Sequence, residues 1–162
     1  MPDGSAIDRT IGALTIQTPS MVLSPDLTKV LLVSSPLGPL CRKLNEHVPW
    51  SVFGMTGMQI GGERFSGTVC FHHERLEYVT LTCGKPEFGY SLANLSQEKE
   101  RARQRFHNDW LKRQGLDHPV MASAGSDTPA WTWQFPWGRI VSGWDVKNGT
   151  TEIVIRYRQD GR

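Results

Sequence analysis

Apolar and polar residues alternate most regularly in two stretches of the chain. Phe65, Gly67, Val69 and Phe71 alternate through GGERFSGTVCF, and LEYVTLTC returns through Leu76, Val79 and Leu81. A period of two sends alternate side chains to opposite faces of a strand, so these segments predict a hairpin that turns at HHER, residues 72–75. The slip in period between Leu76 and Val79 points to a bulge in the returning strand. The second stretch closes the chain. Ile140 to Trp144 forms one strand, Asp145 to Gly149 a turn containing the Asn148-Gly149 dipeptide, and Thr151 to Tyr157 the partner strand. Ile153, Ile155 and Tyr157 then share one face while Val154 and Arg156 share the other.

Elsewhere the pattern changes. Ala13 to Gln17 and the following MVL read as one or two short strands. In SPDLTKVLLVSS, Ser24 and Asp26 offer helix caps and Pro25 suits a first turn, which favours a helix starting there. The run Val30, Leu31, Leu32, Val33 also fits a buried strand, because a short apolar run has no clear period. SPLGPL breaks the segment, and a short polar link leads to Trp50–Ile60, a strand whose two glycines predict a bend or bulge.

Only one segment repeats at helical spacing over several turns. In LSQEKERARQRFHNDWLKRQG, Asn94 or Ser96 supplies the cap and Glu98 and Glu100 sit at the positive end. Lys112 and Arg113 sit at the negative end, and Gly115 stops the helix. Leu95, Ala102, Phe106, Trp110 and Leu111 recur every three or four residues, predicting a narrow buried stripe with Phe106 and Trp110 as the pins. Residues 118–132, rich in Ser, Gly, Pro and Ala, read as an exposed loop. The sum is one α+β domain over residues 1–162: a mainly antiparallel sheet built from hairpins with one long charged helix packed across it.

Composition adds limits. The chain has 162 residues and a net charge of +2, enough length for a full core and too little basicity to announce a nucleic-acid surface. MPDGSAIDRTIGALTIQ lacks the basic and apolar regions of a secretory signal, and no window approaches a membrane span, so a cytoplasmic location is expected. Cys41, Cys70 and Cys83 make no CxxC pair and read as buried thiols.

Candidate chemistry is sparse. His72 and His73 adjoin each other at a strand end and point to opposite sides, a poor chelating pair. His107 and Asp109 fall on different helix faces, and His47 and His118 have no acid or thiol at a telling spacing. IGGERFSG lacks the lysine-serine pairing of a phosphate loop and reads as hairpin punctuation, and no nucleophile elbow or dinucleotide fingerprint is present. Neither a metal nor a cofactor is expected, and an enzyme would need a scattered site around His72, His107 or His118.

On the helix, Lys99, Arg101, Arg103, Arg105, Lys112 and Arg113 oppose Glu98, Glu100 and Asp109, a surplus of +3. Acids interleaved with bases, as at Glu98 to Arg101 and Asp109 to Arg113, suit a solvated face with local ion pairs better than a phosphate stripe. Trp131, Trp133, Trp137 and Trp144 with Phe135 form a cluster open to three readings: core wall, ligand cleft or interface anchor. Trp131 and Trp133 are the expected exposed anchors. With Arg101, Arg105 and Asp109 they make up the candidate partner-binding set.

The blocks VLSPDLTKVLLVSSPLG, SQEKERARQRFHNDWLKRQG and FPWGRIVSGWDVKNGTTEIVIRY together resemble small bacterial immunity proteins encoded beside type VI secretion or polymorphic toxin effectors. The resemblance implies a non-catalytic antitoxin that binds its cognate toxin and occludes it, with no cofactor and no membrane contact. The slightly positive charge disfavours plugging a basic nuclease cleft. The alternative is a module that binds a small ligand or nucleic acid through the tryptophan cluster and the arginine-rich helix.

Overall fold

The computed structural model describes residues 4–88, 96–122, 129–145 and 149–159. Eight strands form one antiparallel sheet: β3 (Cys41–His47), β4 (Trp50–Ile60), β5 (Glu63–His72), β6 (Arg75–Cys83), β7 (Met121–Ala122), β8 (Trp131–Phe135), β9 (Gly138–Asp145) and β10 (Thr150–Tyr157). Their spatial order is β3-β4-β5-β6-β10-β9-β8-β7. A separate two-stranded ladder joins β1 (Leu14–Ile16) to β2 (Met21–Leu23), followed by a short helix α1 (Lys29–Ser34). The chain is thus α+β, with one large antiparallel sheet and one main helix, α2 (Gln97–Arg113).

Both predicted hairpins form. β5 and β6 pair through His72 and Arg75, and the slipped period resolves at one residue: Cys70 faces Tyr78 while Phe71 faces Leu76, leaving Glu77 as the extra residue. β4 bulges at its glycine, where Thr56 and Gly57 stand between the Met55 and Met58 pairings and Gly57 has φ +70°. The β4–β5 connection is Gly61-Gly62, both with positive φ, the handedness that matches strand twist. β9 and β10 pair from Gly138–Tyr157 to Asp145–Thr150. Gly149 has φ +66°, and the remainder of the predicted turn, 146–148, lies outside the described residues.

One sheet face holds the core. Phe53, Met55, Phe65, Val69, Val79, Leu81, Ile140, Ile153 and Ile155 meet Leu14, Ile16, Leu23 and Leu32 from the N-terminal elements and Trp110 and Leu111 from α2. Cys70 and Cys83 are buried thiols, Cys41 is half-buried, and burial pushes all three up from the ordinary thiol value.

The sequence reading needs four corrections. The first helix is capped by Thr28, whose Oγ1 accepts the Leu31 N–H at 3.2 Å, so neither Ser24 nor Asp26 starts it and the strand alternative fails. The polar link before Trp50 is a strand, β3, which the absence of an apolar alternation concealed. The expected loop 118–132 is interrupted, because Met121–Ala122 pairs with Trp131 and Thr132 and β8 begins at Trp131; residues 123–128 lie outside the described residues.

The fourth correction concerns α2. Its cap is Ser96, whose Oγ accepts the Lys99 N–H at 3.1 Å; Asn94 and Leu95 lie outside the described residues. Its buried side chains are Glu100, Arg103, Gln104, His107, Trp110 and Leu111, a stripe more polar than apolar. Phe106, expected as a core pin, sits half-buried at the margin against Phe88 (centroids 5.8 Å) with the Lys85 ammonium 4.2 Å from its ring.

Candidate functional site

The polar stripe of α2 is held from below by groups that need polar partners. Glu100 pairs with Arg103 and accepts the Thr151 N–H at 2.7 Å, while Thr151 Oγ1 donates to the Glu100 carbonyl at 3.0 Å. Arg103 Nη2 donates to the Phe88 carbonyl at 2.9 Å. His107 Nε2 accepts the Cys83 N–H at 2.9 Å. Burial, with the Arg103 charge nearby, pushes its pKa down to about 3, so the ring is neutral and its single proton resides on Nδ1. These contacts spend the buried titratable groups of α2, Glu100, Arg103 and His107, on holding the helix to β6, β10 and the turn at Phe88.

The neutral histidine gives a pH dependence of defined sign. Below about 6.5 the unfolded chain takes up a proton that the folded chain refuses, so stability falls as the solution is acidified from 6.5 toward 3. The slope from this group is at most about 1.4 kcal/mol per pH unit. Denaturant melts from pH 7 to pH 4 on the protein and on His107→Gln check it. The variant should show the shallower slope, and equal slopes would remove His107 as the cause.

The three histidines of the scattered-site reading stay apart. His72 lies against Trp50 at the far end of β5 (centroids 4.6 Å), His107 lies beneath α2, and His118 lies beside β8. Among the described residues no group of three or more His, Cys, Asp or Glu is placed to hold a metal ion.

The predicted partner-binding set divides. Arg105 and Asp109 are exposed and Arg101 is half-buried, one row along α2 at four-residue spacing. Asp109 pairs with Lys112 (3.8 Å) and not with Arg113, which reaches Glu63 at 3.3 Å. Trp131 is half-buried with the Lys112 ammonium 5.2 Å from its ring. Trp133 is 4% exposed and therefore no exposed anchor: its direct neighbour across the ladder is the core residue Ile140, so it faces inward.

The exposed apolar surface lies at the other end of the sheet. Of the ten large apolar residues exposed among those described, eight fall between residues 22 and 50: Val22, Val30, Leu31, Val33, Leu40, Leu44, Val48 and Trp50. The cause is geometric. Consecutive helical residues turn by about 100°, so Val30–Val33 cannot all face one way, and only Leu32 reaches the core. Between α1 and the sheet runs a groove of about 540 Å³ with Val30, Val33, Cys41 and Phe53 in its walls. Lys29 crosses its rim to Glu74 (3.4 Å) and Glu46 (3.7 Å), and Lys43 pairs with the same Glu46 at 2.6 Å.

β3 forms one side of this groove and ends the sheet, so its outer backbone groups have no ladder partner among the described strands. The register shifts between Lys43 and Asn45, a bulge at Leu44 that turns its side chain over Gly54. Exposed apolar residues concentrated beside an open strand edge make a surface suited to another polypeptide. The sequence carried a signal for it, the run VLLV in a helix too short to bury it, but that run reads equally as a core strand.

Comparison with known proteins finds no matching protein-family model, no curated protein with a significant match and no solved structure with a significant match.

Proposed function

We propose that this protein acts by binding another protein, as a non-catalytic cognate immunity protein that neutralises a secreted antibacterial toxin in the cytoplasm by occluding it. The observation that carries the reading is the concentration of six exposed large apolar residues, Val30, Leu31, Val33, Leu40, Leu44 and Val48, on α1, β3 and their flanking turns. A fully buried Val or Leu side chain contributes roughly 1.5–3 kcal/mol relative to leaving it exposed, so a partner covering a few of them gains substantial affinity. The rim ion pairs of Lys29, Lys43, Glu46 and Glu74 then frame the contact and set its orientation.

In this reading the long charged helix across the sheet is a cover whose outer row, Arg101, Arg105 and Asp109, borders the contact or a second one. Pairing of Lys112 with Asp109 and of Arg113 with Glu63, together with burial of Arg103, leaves that helix poorly suited to a phosphate track and supports a protein partner over nucleic acid. No helix among the described residues is long and apolar enough to cross a membrane.

The test is co-expression with the product of the adjacent gene. The expected result is growth rescue and a one-to-one complex whose affinity falls at least about tenfold in Leu31→Asp and Val33→Asp, with melts unchanged within about 0.5 kcal/mol because both side chains are exposed. Absence of any complex would sink the immunity reading. Full affinity in these variants, with loss in Arg105→Ala, would move the contact to α2.

A further inference from the structure

The large sheet has a second face, turned away from the core, and its charge is one-sided. Neighbouring residues on a strand point to opposite faces, so a residue beside a core position points outward. Arg42 lies opposite Gly54, Arg64 opposite Gln59, Arg75 opposite His72 and Arg139 opposite Arg156. Each of these partners adjoins a core residue, respectively Phe53, Ile60, Phe71 and Ile155. All five strand arginines therefore stand on the outer face, while Lys43, Glu46 and Glu63 stand in register with the core side. A net charge of +2 conceals this separation.

The charge on that face is not balanced within the chain. On the other side, Lys29, Lys43, Lys85, Lys112 and Arg113 each reach a carboxylate at 3.8 Å or less. Of the outer arginines, Arg156 reaches the bulge residue Glu77 at 3.7 Å, whereas Arg42, Arg64, Arg75 and Arg139 are exposed with no ion pair among the described residues. Arg139 also faces Arg156 directly across the ladder. Like charges so placed are destabilising, and a local rule broken in this way is the mark of a functional or strained surface.

Aromatic rings are interleaved with the guanidiniums. Tyr78 lies under Arg156, 5.0 Å from guanidinium to ring centroid. Trp50 is 37% exposed, lies against the His72 ring at 4.6 Å, and shares one row with His72 and Arg75. The adjoining row, Gly54, Thr68, Thr80, Val154 and Val141, is made of small side chains that leave the arginines unscreened.

We propose that this outer face binds single-stranded nucleic acid, with phosphates on Arg42, Arg75, Arg139 and Arg156 and a base stacked on Trp50. From β3 to β9 is five ladder steps, roughly 24 Å at about 4.8 Å each, room for several nucleotides. Guanidiniums grip phosphate oxygens in a fork and aromatic faces stack on bases, a combination that an acidic peptide leaves half unused. A duplex keeps its base faces stacked inside and offers none to Trp50. The helix α2 interleaves acids with its bases, but this face holds its arginines apart from the acids. It is separate from the apolar rim of α1 and β3, and neither reading depends on the other.

The test is fluorescence anisotropy of the full chain with labelled single strands of about twelve nucleotides, DNA and RNA, within the site size of single-strand binders. The matching duplex and a polyglutamate peptide serve as competitors. The expected result is saturable binding of a single strand, with log K falling against log salt at a slope of about −3, from about −0.7 for each of four phosphates. Arg75→Gln and Arg139→Gln should each flatten that slope by about 0.7, and Lys112→Gln on the opposite side should leave it unchanged. Trp50→Ala should weaken binding at least about fivefold at unchanged slope, the loss of one stacked base. All four side chains are exposed, and denaturant melts check that each variant keeps the fold. No binding at about 50 mM salt with protein up to about 100 μM, the weak end of non-specific affinity, overturns the proposal. So does an unchanged slope in both arginine variants, which would place the contact elsewhere. Duplex or polyglutamate competing as well as the single strand would leave only an unselective cationic face, and overturns it too.

Discussion

Replacing Glu100 by alanine is expected to cost roughly 3–5 kcal/mol, the penalty for breaking a buried ion pair by removing one partner. Glu100 and Arg103 are 1% and 3% exposed, so the guanidinium left behind has no water to turn to. The change also strips the Thr151 N–H of its acceptor at the start of β10, an added loss for a buried donor. Equilibrium denaturation of the single variant and of the paired Glu100→Leu, Arg103→Met variant decides the matter. The pair should lose much less than the single change, because an apolar replacement of both partners leaves no charge unpaired. A single variant within about 0.5 kcal/mol of the parent, the range of surface changes, would show that the pair is solvated and that α2 is held by other means.

Trp110→Ala is expected to be comparably severe, roughly 3–5 kcal/mol for loss of a large buried aromatic side chain. Trp110 is fully buried, lies edge-on to Phe65 with centroids 4.8 Å apart, and its indole N–H reaches the Gly61 carbonyl at 3.4 Å. A cavity there separates the helix from the β4–β5 turn. Phe106→Ala supplies the contrast. Its ring stays half-buried between Phe88 and the Lys85 ammonium, so its loss should cost no more than about 1–2 kcal/mol. Parallel denaturant melts of the two variants test the ranking. A Phe106 variant as damaged as the Trp110 variant would return Phe106 to the core, where the spacing of apolar residues alone had put it.

That reversal shows how far hydropathy carries. In α2 the residues that meet the sheet, Glu100, Arg103, His107 and Trp110, follow each other at intervals of three and four, so a helical period was present in the sequence. Three of the four are polar side chains, Glu100, Arg103 and His107, which a reading of amphipathicity assigns to water. They are buried because the sheet beneath them presents the Thr151 and Cys83 N–H groups and the short 3-10 turn Pro86–Phe88 presents the Phe88 carbonyl. Those demands arise only when distant segments assemble.

Local chemistry was enough to determine the two hairpins, the bulge in β6 and the α+β class, because alternation and turn residues act between neighbours in the chain. The candidate surfaces followed a different rule. Val30, Leu31 and Val33 became exposed when α1 offered only Leu32 to the core, and β3 became an edge when nothing in the described chain paired beyond it. Trp133 turned inward opposite Ile140, and Arg42, Arg75 and Arg139 met on one sheet face although they lie far apart in the chain. Which apolar residues stay wet, which charges are buried and which side chains share a face are set by long-range packing. On these points only the tertiary structure decided.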